Sequence, residues 1–302
     1  MPNKINYIKP QMIHVNKTNT VKKPHVRNIG KQAPVNHLAA NRMSIEERNE
    51  RLRRVREYQE ALRNKKNAEN AIKAGQGKVI DRKKLAENQT VDNGQVFSYA
   101  TIDPIWQDQT VYIIGGGPSL SGFDFNKLQG KNVIAVNKAY AYAKQPYVLY
   151  WTDARFYNWY KEQINALPCM KVTSSASLKN VGHGVKVLKT KPGKDLDLDA
   201  KPFEICAGNN SGYGAIHLAI KMGAKKIYLL GYDMKHEHKK THWHDGYPVA
   251  NNGKDAIYRS MLQYFTHNAG KIKSAVEIYN ANPKSELKCF DFCTIDDALA
   301  SS

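Results

Sequence analysis

"VYIIGGGPSLSG", residues 111–122, joins an apolar run to a loop that carries very few side chains. The run VYII predicts a buried β-strand, and the three glycines after it would let a ligand approach the backbone closely. Ligands of α/β sheets bind at the carboxyl ends of strands, where this loop would lie. Gly115, Gly116, Gly117 and Ser119 are therefore candidate ligand-binding residues, because free N–H groups and a hydroxyl suit phosphate or ribose oxygens. A tight structural turn is the alternative explanation of the same stretch.

From residue 109 onward, apolar runs alternate with helical patterns. This alternation is typical of an α/β fold with a Rossmann-like, mostly parallel sheet and flanking helices. The predicted strands are residues 111–115, 133–137, 148–152, 169–173, 185–188, 204–206, 226–231 and 275–279. The predicted helices are residues 139–143, 155–166, 212–222, 254–269 and 295–299.

The N-terminal third of the chain differs from this body in its charge. Of the formal net charge of +19, a share of +12 lies in residues 1–95. Residues 1–43 therefore predict a basic arm, disordered or extended, and residues 44–75 predict a highly charged helix that begins with a Ser-x-x-Glu capping box. Residues 76–108 are a predicted linker, and residues 109–302 form the predicted nucleotide-binding domain.

The basic arm and the charged helix are suited to bind a polyanion or a partner protein. A solvated tail is the alternative explanation for the arm. The apolar stripe of the charged helix is narrow, so it would pack on the body, on a partner or on a second copy of the chain. A homo-oligomer is therefore among the expectations.

Cysteine usage and hydropathy predict the compartment. Cys169, Cys206, Cys289 and Cys293 form no C-x-x-C pair, which is typical of reduced thiols inside cells. No segment approaches the ~18 apolar residues that a bilayer-spanning helix needs. We therefore expect a cytoplasmic protein without a membrane span.

Two departures from common nucleotide-binding loops narrow the ligand class. Leu120 stands where the third glycine of G-x-G-x-x-G would fall, and Asn137 stands where an acidic ribose ligand would follow the second strand. A neutral amide at this place argues against ordinary NAD binding. The chain also lacks the G-x-x-x-x-G-K-[ST] pattern, which excludes the P-loop enzymes.

A second glycine cluster, CAGNNSGYGAIHLAI, opens the next predicted helix. Asn210 or Ser211 can cap this helix, and Gly212 leaves its first turn accessible to an anion. Two such openings at neighbouring strand ends would suit a nucleotide. Asp233 and Asp153 follow two further strands, where a carboxylate could bind a metal, a ribose or an incoming hydroxyl. A helix N-cap is the alternative role for each aspartate.

The segment DMKHEHKKTHWHDGYP contains four of the ten histidines of the chain. His242 or His244 could act as a general base toward an acceptor hydroxyl, because an imidazole titrates near neutrality. The paired H-x-H spacings could instead hold a divalent metal ion. A polar lid that is rich in histidine is the third interpretation.

Four motifs occur together in one order: VYIIGGGPSL, VIAVNKAY, NNSGYGAIHLAIKMGAKKIYLLGYDM and VEIYNANPKSELKCF. Over residues 109–295 the chain thereby resembles bacterial family 42 sialyltransferases, the Maf flagellin-glycosylation proteins and archaeal hydroxymethylpterin diphosphokinase-like proteins. Phage-encoded relatives of this group exist, and the added basic arm is compatible with a virion-associated member. The resemblance implies a pocket for the cytidine monophosphate part of a CMP-sugar.

The resemblance also implies roles for the matched positions. Those that would line the nucleotide pocket or meet its phosphate are Gly116, Gly117, Ser119, Asn137, Ser211 and Gly212. It implies a histidine base, for which His242 or His244 is the nearest candidate, and Tyr247 is the nearest match for a phosphate-binding tyrosine. The family has asparagine where this chain has Gly116, which removes a side-chain amide.

Together these features predict a nucleotide-dependent transferase of the glycosyltransferase type. Its donor would be a nucleotide sugar, with a CMP-sugar favoured, and a histidine would assist the displacement. The predicted catalytic residues are His242, His244 and Asp233. Two alternatives stay open. One is phosphoryl transfer of the diphosphokinase type, and the other is a non-catalytic virion or nucleic-acid-associated structural protein that retains the fold.

Overall fold

The computed structural model describes residues 85–300 except residues 93, 144, 236–246 and 248–254, together with the single positions 53, 60 and 82. The chain divides into two units, Met1–Arg48 and Asn49–Ser302, and the first lies outside the described residues. The predicted basic arm and nearly all of the predicted charged helix therefore lie outside the described part as well.

A parallel sheet of eight strands is the centre of the described residues. The strands are β1 (Gln89–Asp92), β2 (Gln95–Ser98), β3 (Gln109–Ile114), β4 (Asn132–Val136), β5 (Val148–Trp151), β6 (Met170–Thr173), β7 (Val185–Val187), β8 (Lys189–Thr190), β9 (Glu204–Ile205), β10 (Ala224–Leu230), β11 (Glu277–Asn280) and β12 (Asp291–Phe292). The sheet has the order β12-β11-β10-β3-β4-β5-β6-β7, and all its pairings are parallel. The predicted α/β fold with a mostly parallel sheet is thus confirmed.

The strand order contains one topological switch point. From β3 to β7 each new strand of the sheet is added on the same side, and β10 then returns to the other side of β3. Open α/β sheets bind their ligands in the crevice outside the carboxyl ends of the two strands that flank such a point. The glycine loop follows β3 and Asp233 follows β10, so both lie at this crevice.

Helices cover both faces of the sheet and give each face its own apolar core. The helices of the described part are α1 (Ala154–Ala166), α2 (Ser211–Lys221), α3 (Asp255–Ala275) and α4 (Ile295–Ala300). Alternation along β3 sends Ile113 into the core that contains Leu218 of α2, and Ile114 into the core that contains Phe156 of α1. Each fully buried side chain of this size stabilises the fold by roughly 1.5–3 kcal/mol. None of the helices in the described part of the chain has the length and apolar composition needed to cross a bilayer.

Several element boundaries differ from the sequence expectation. The helix expected at 254–269 continues to Ala275, and the short helix expected at 139–143 is a 3-10 turn, Asn137–Ala141. The segment expected to be a linker contains the hairpin β1–β2. The sequence between the paired residues Asp92 and Gln95 is Asn-Gly, the pair most favoured in two-residue hairpin loops, so the sequence did carry a signal for this hairpin.

Candidate functional site

The glycine loop is packed against the backbone that continues β10. The N–H of Gly115 donates to the carbonyl of Leu230 at 2.8 Å, and the N–H of Gly117 donates to the carbonyl of Gly231 at 2.8 Å. A Cβ atom at Gly115 would lie 2.7 Å from the Gly231 carbonyl oxygen, and one at Gly117 would lie 2.6 Å from the same atom. The close approach of the protein's own backbone therefore accounts for these two glycines. Gly116 between them is partly exposed.

Asp233 binds this loop with its carboxylate. The residue is only 2% exposed. Its Oδ2 accepts a hydrogen bond from the backbone N–H of Ser119 at 2.7 Å, and its Oδ1 accepts from the Ser119 hydroxyl at 2.5 Å. A third donor, Nδ2 of Asn282, reaches Oδ1 at 2.8 Å. Both carboxylate oxygens are thus engaged by the protein, so Asp233 anchors the loop that begins at Gly115.

Asn137 directly follows β4, at the carboxyl edge of the sheet. Its φ of +50° is a left-handed conformation that asparagine tolerates better than most residues. Its Oδ1 is buried and has no hydrogen-bond partner among the residues that the structure describes. Since buried polar atoms are nearly always paired, this oxygen is an exception at the carboxyl edge of the sheet.

Lys138 lies next to Asn137 in the motif VIAVNKAY, where no local pattern of the sequence indicates a binding role for it. Its Nζ lies 3.3 Å from the hydroxyl of Tyr160 and 4.4 Å from the centre of that ring. Burial raises the pKa of Tyr247, and a hydrogen bond with the Lys138 backbone opposes this rise. Tyr247 therefore lies at the same strand end, where Lys138 adds a positive charge.

The N-terminus of α2 lies at the same edge of the sheet. The Oδ1 of Asn210 accepts from the N–H of Tyr213 at 2.7 Å, which makes Asn210 the N-cap. The hydroxyl of Ser211 lies 2.9 Å from the hydroxyl of Thr152, just beyond β5. The carbonyl of Gly212 accepts from Tyr232, just beyond β10, at 3.0 Å. These contacts place the first turn of α2 between the ends of β5 and β10.

Asp153 has the capping role that was the alternative interpretation of this residue. Its side chain accepts from the backbone N–H of Arg155 at 2.8 Å at the start of α1, and it pairs with the Arg155 guanidinium at 2.6 Å. The hydrogen bond from the Arg155 side chain lowers the pKa of the Asp153 carboxyl, against a smaller effect of burial.

The predicted bases His242 and His244 lie outside the described residues, as do His236 and His238. Within the described part of the chain, no group of three or more His, Cys, Asp or Glu side chains is arranged to hold a metal ion. Of the candidate site residues, the structure describes the glycine loop, Asn137, Asp153, the first turn of α2 and Asp233, and Lys138 lies beside them.

No protein-family model and no curated protein matches the chain. A search of solved structures found similarity to the Maf glycosyltransferase from Magnetospirillum magneticum AMB-1, with a TM-score of 0.48 and 14% identity over 65% of this chain. The sialyltransferase CST-II, solved with a trisaccharide acceptor and CMP, has a TM-score of 0.39 and 16% identity over 61% of this chain and 85% of its own. An α-2,3-sialyltransferase from Campylobacter jejuni has a TM-score of 0.34 and 18% identity, covering 65% of this chain and 85% of its own. The chain covers 35% of the length of the Maf structure.

Proposed function

We propose that the protein is a nucleotide-dependent transferase of the glycosyltransferase type, with a nucleotide-sugar donor bound over the carboxyl ends of β3, β4, β5 and β10. The observation that carries this proposal lies beside the switch-point crevice, where the buried Oδ1 of Asn137 has no hydrogen-bond partner within the described residues. A neutral acceptor suits a ribose hydroxyl or the exocyclic amine of a cytosine base, which supports a donor of the CMP type.

The phosphate of the donor would lie near the first turn of α2 and Lys138. A helix N-terminus favours negative charge, and a lysine ammonium adds to this effect. In the transfer step, the glycosidic C–O bond of the donor breaks, the nucleotide leaves with the bonding electrons, and an acceptor oxygen forms the new bond. A base removes the acceptor proton, and His242 or His244 is proposed for this role because both follow β10 closely in the chain.

Asn137→Gly tests the proposal, because glycine also adopts the positive φ of this position. The variant removes the side-chain acceptor, so we expect the Kd for CMP or a CMP-sugar, measured by calorimetry, to rise roughly fivefold to tenfold, the usual effect of losing one hydrogen bond. Asn132→Gly removes the same side-chain amide at the other end of β4, where the side chain bonds Gln109, and serves as the matched control. Equal Kd values for both variants would contradict the proposed role of Asn137.

A nucleotide panel tests the class of protein. Stabilisation of the full chain by CMP, CDP or UDP in a thermal-shift assay, followed by sugar transfer or hydrolysis of a CMP-sugar, would support the transferase. Stabilisation by ATP or GTP only in the presence of Mg²⁺ would favour phosphoryl transfer. Stabilisation by DNA or RNA alone would favour a non-catalytic binding protein.

A further inference from the structure

We propose that Asn282, which lies between β11 and β12, is a positioning residue for the nucleotide site, acting through Asp233 and Ser119. This inference rests on the proposed nucleotide site. The three residues form one hydrogen-bond chain, from Nδ2 of Asn282 to the Asp233 carboxylate and from the carboxylate to Ser119. It connects positions that are far apart in the sequence and ends in the glycine loop.

The orientation of the Asn282 side chain is fixed from both sides. Its Oδ1 accepts from the backbone N–H of Lys284 at 3.0 Å, so its Nδ2 is left to face Asp233 at 2.8 Å. The residue is 9% exposed. A local turn thus presents one N–H donor to one carboxylate oxygen, which is the arrangement expected of a group that orients another.

The segment that carries Asn282 is itself anchored to the end of β10. The hydroxyl of Ser285 donates to the carbonyl of Tyr232 at 2.6 Å, and the N–H of Glu286 donates to the carbonyl of Asp233 at 2.9 Å. The backbone and the side chain of Asp233 are therefore both bonded to the residues that follow β11.

The carboxylate of Asp233 needs these donors because it is buried. Within the described residues, its partners are the N–H and hydroxyl of Ser119 and the amide of Asn282, all of them neutral. A buried ionised carboxylate is tolerated only when hydrogen bonds or opposite charges replace its hydration. Without Asn282, the Ser119 hydroxyl is the remaining donor to Oδ1 among the described residues, and the carboxylate would reorient toward water.

A reoriented carboxylate would release Ser119 and the turn around it. The N–H of Leu120 donates to the carbonyl of Gly117, so displacement of Ser119 is transmitted directly to the glycine loop. The loop lines the proposed nucleotide pocket, and a displacement there lowers affinity for a ligand that contacts the backbone. Asn282 thereby controls the site without contacting the ligand.

The test compares Asn282→Ala with Asn268→Ala in the full-length protein. Asn268 is also a buried asparagine, and its hydrogen bonds to Lys194, Leu196 and Tyr264 join α3 to backbone away from the glycine loop. We expect Asn282→Ala to raise the Kd for CMP roughly tenfold. We expect Asn268→Ala to lower thermal stability while the Kd stays within about twofold of wild type.

Two further readouts separate positioning from general damage. Hydrogen exchange without ligand should show faster exchange in the peptide covering residues 115–120 for Asn282→Ala only, because the Ser119 N–H is bonded to Asp233. The two substitutions are also combined in a double-mutant cycle. The Kd of the Ser119→Ala/Asn282→Ala double variant should rise by a smaller factor than the product of the two single-variant factors.

The outcomes are distinguishable. Unchanged exchange at residues 115–120 together with equal Kd values for the Asn282 and Asn268 variants would overturn the positioning role and leave the proposed function intact. If the wild-type protein binds no nucleotide, the proposed function fails. In that case, the hydrogen-exchange measurement alone shows whether the Asn282 side chain orders the glycine loop.

Discussion

His217 is a buried histidine of α2 that lies outside the candidate site. It is 1% exposed, and its Nδ1 accepts from the backbone N–H of Cys206 at 2.9 Å. Its Nε2 is buried and has no hydrogen-bond partner in the described part of the chain. Burial, assisted by the nearby Lys221 charge, lowers the pKa of His217 to about 4. The folded protein therefore holds this imidazole neutral over a pH range in which an unfolded chain would protonate it.

The fold should accordingly lose stability in mild acid. Between about pH 6.5 and 4 the unfolded chain binds one more proton at His217 than the folded chain, so the free energy of unfolding falls as the pH decreases. Over the full window the loss is roughly 3 kcal/mol, and above pH 6.5 this contribution is complete. Urea unfolding of the wild-type protein and of His217→Asn at pH 7 and pH 4.5 measures this loss of unfolding free energy.

The variant removes the titrating group, so its stability should change less between the two pH values than that of wild type. His183→Asn is the matched control, since His183 is exposed and has a positive φ that asparagine also adopts. An equal loss of stability in acid for wild type and His217→Asn would show that other groups cause the pH dependence.

The helix α2 shows what glycines do when an element must pack closely. The sequence indicated an open first turn for an anion, and the structure adds a second reason for small residues there. A Cβ atom at Gly214 would lie 2.9 Å from Cε1 of the buried Tyr150 ring, and one at Gly212 would lie 3.0 Å from Cε1 of Tyr232. The glycine-rich sequence could suggest a bound ligand at this helix. Only the tertiary contacts show that the rings of Tyr150 and Tyr232 also require glycine at these two positions.

Gly214→Ala should therefore destabilise the protein, in contrast to the usual effect of alanine in a helix. The added methyl group would overlap Tyr150, at a cost of roughly 1–3 kcal/mol. Gly270→Ala in α3 is the matched control, because nothing lies within 4 Å of its Cβ position and alanine should stabilise this helix by about 0.5–1 kcal/mol. Thermal unfolding measures both changes. Shifts of the same sign would contradict the packing role of Gly214.

Across the whole molecule, the sequence predicted local features better than long-range ones. The strand–helix alternation and the glycine loop could be identified because they depend on neighbouring residues. The return of β10 to the side of β3, and with it the contact of Asp233 with Ser119 and Asn282, depends on positions more than 40 residues apart. No local pattern distinguishes a carboxylate that will be enclosed by such donors from one that is free to react.

Long-range contacts also set the limit for removing the N-terminal segment. The predicted linker is integrated into the body, since the Ala100 N–H donates to the carbonyl of Val187 at 3.0 Å and Lys179 pairs with Asp92 at 3.6 Å. Deleting residues 1–84 keeps these contacts, whereas deleting residues 1–95 removes β1 and leaves β2 unpaired. We expect the shorter deletion to spare nucleotide binding, and the longer one to lower thermal stability further.

Both deletions should also reduce binding to a polyanion, because most of the net positive charge lies before residue 95. Fluorescence anisotropy with a labelled single-stranded DNA at several salt concentrations measures this binding. The slope of log K against log salt should become shallower in both truncated proteins, since fewer basic side chains remain to displace counterions. A slope equal to that of the full chain would place the polyanion surface on the α/β body instead of the arm.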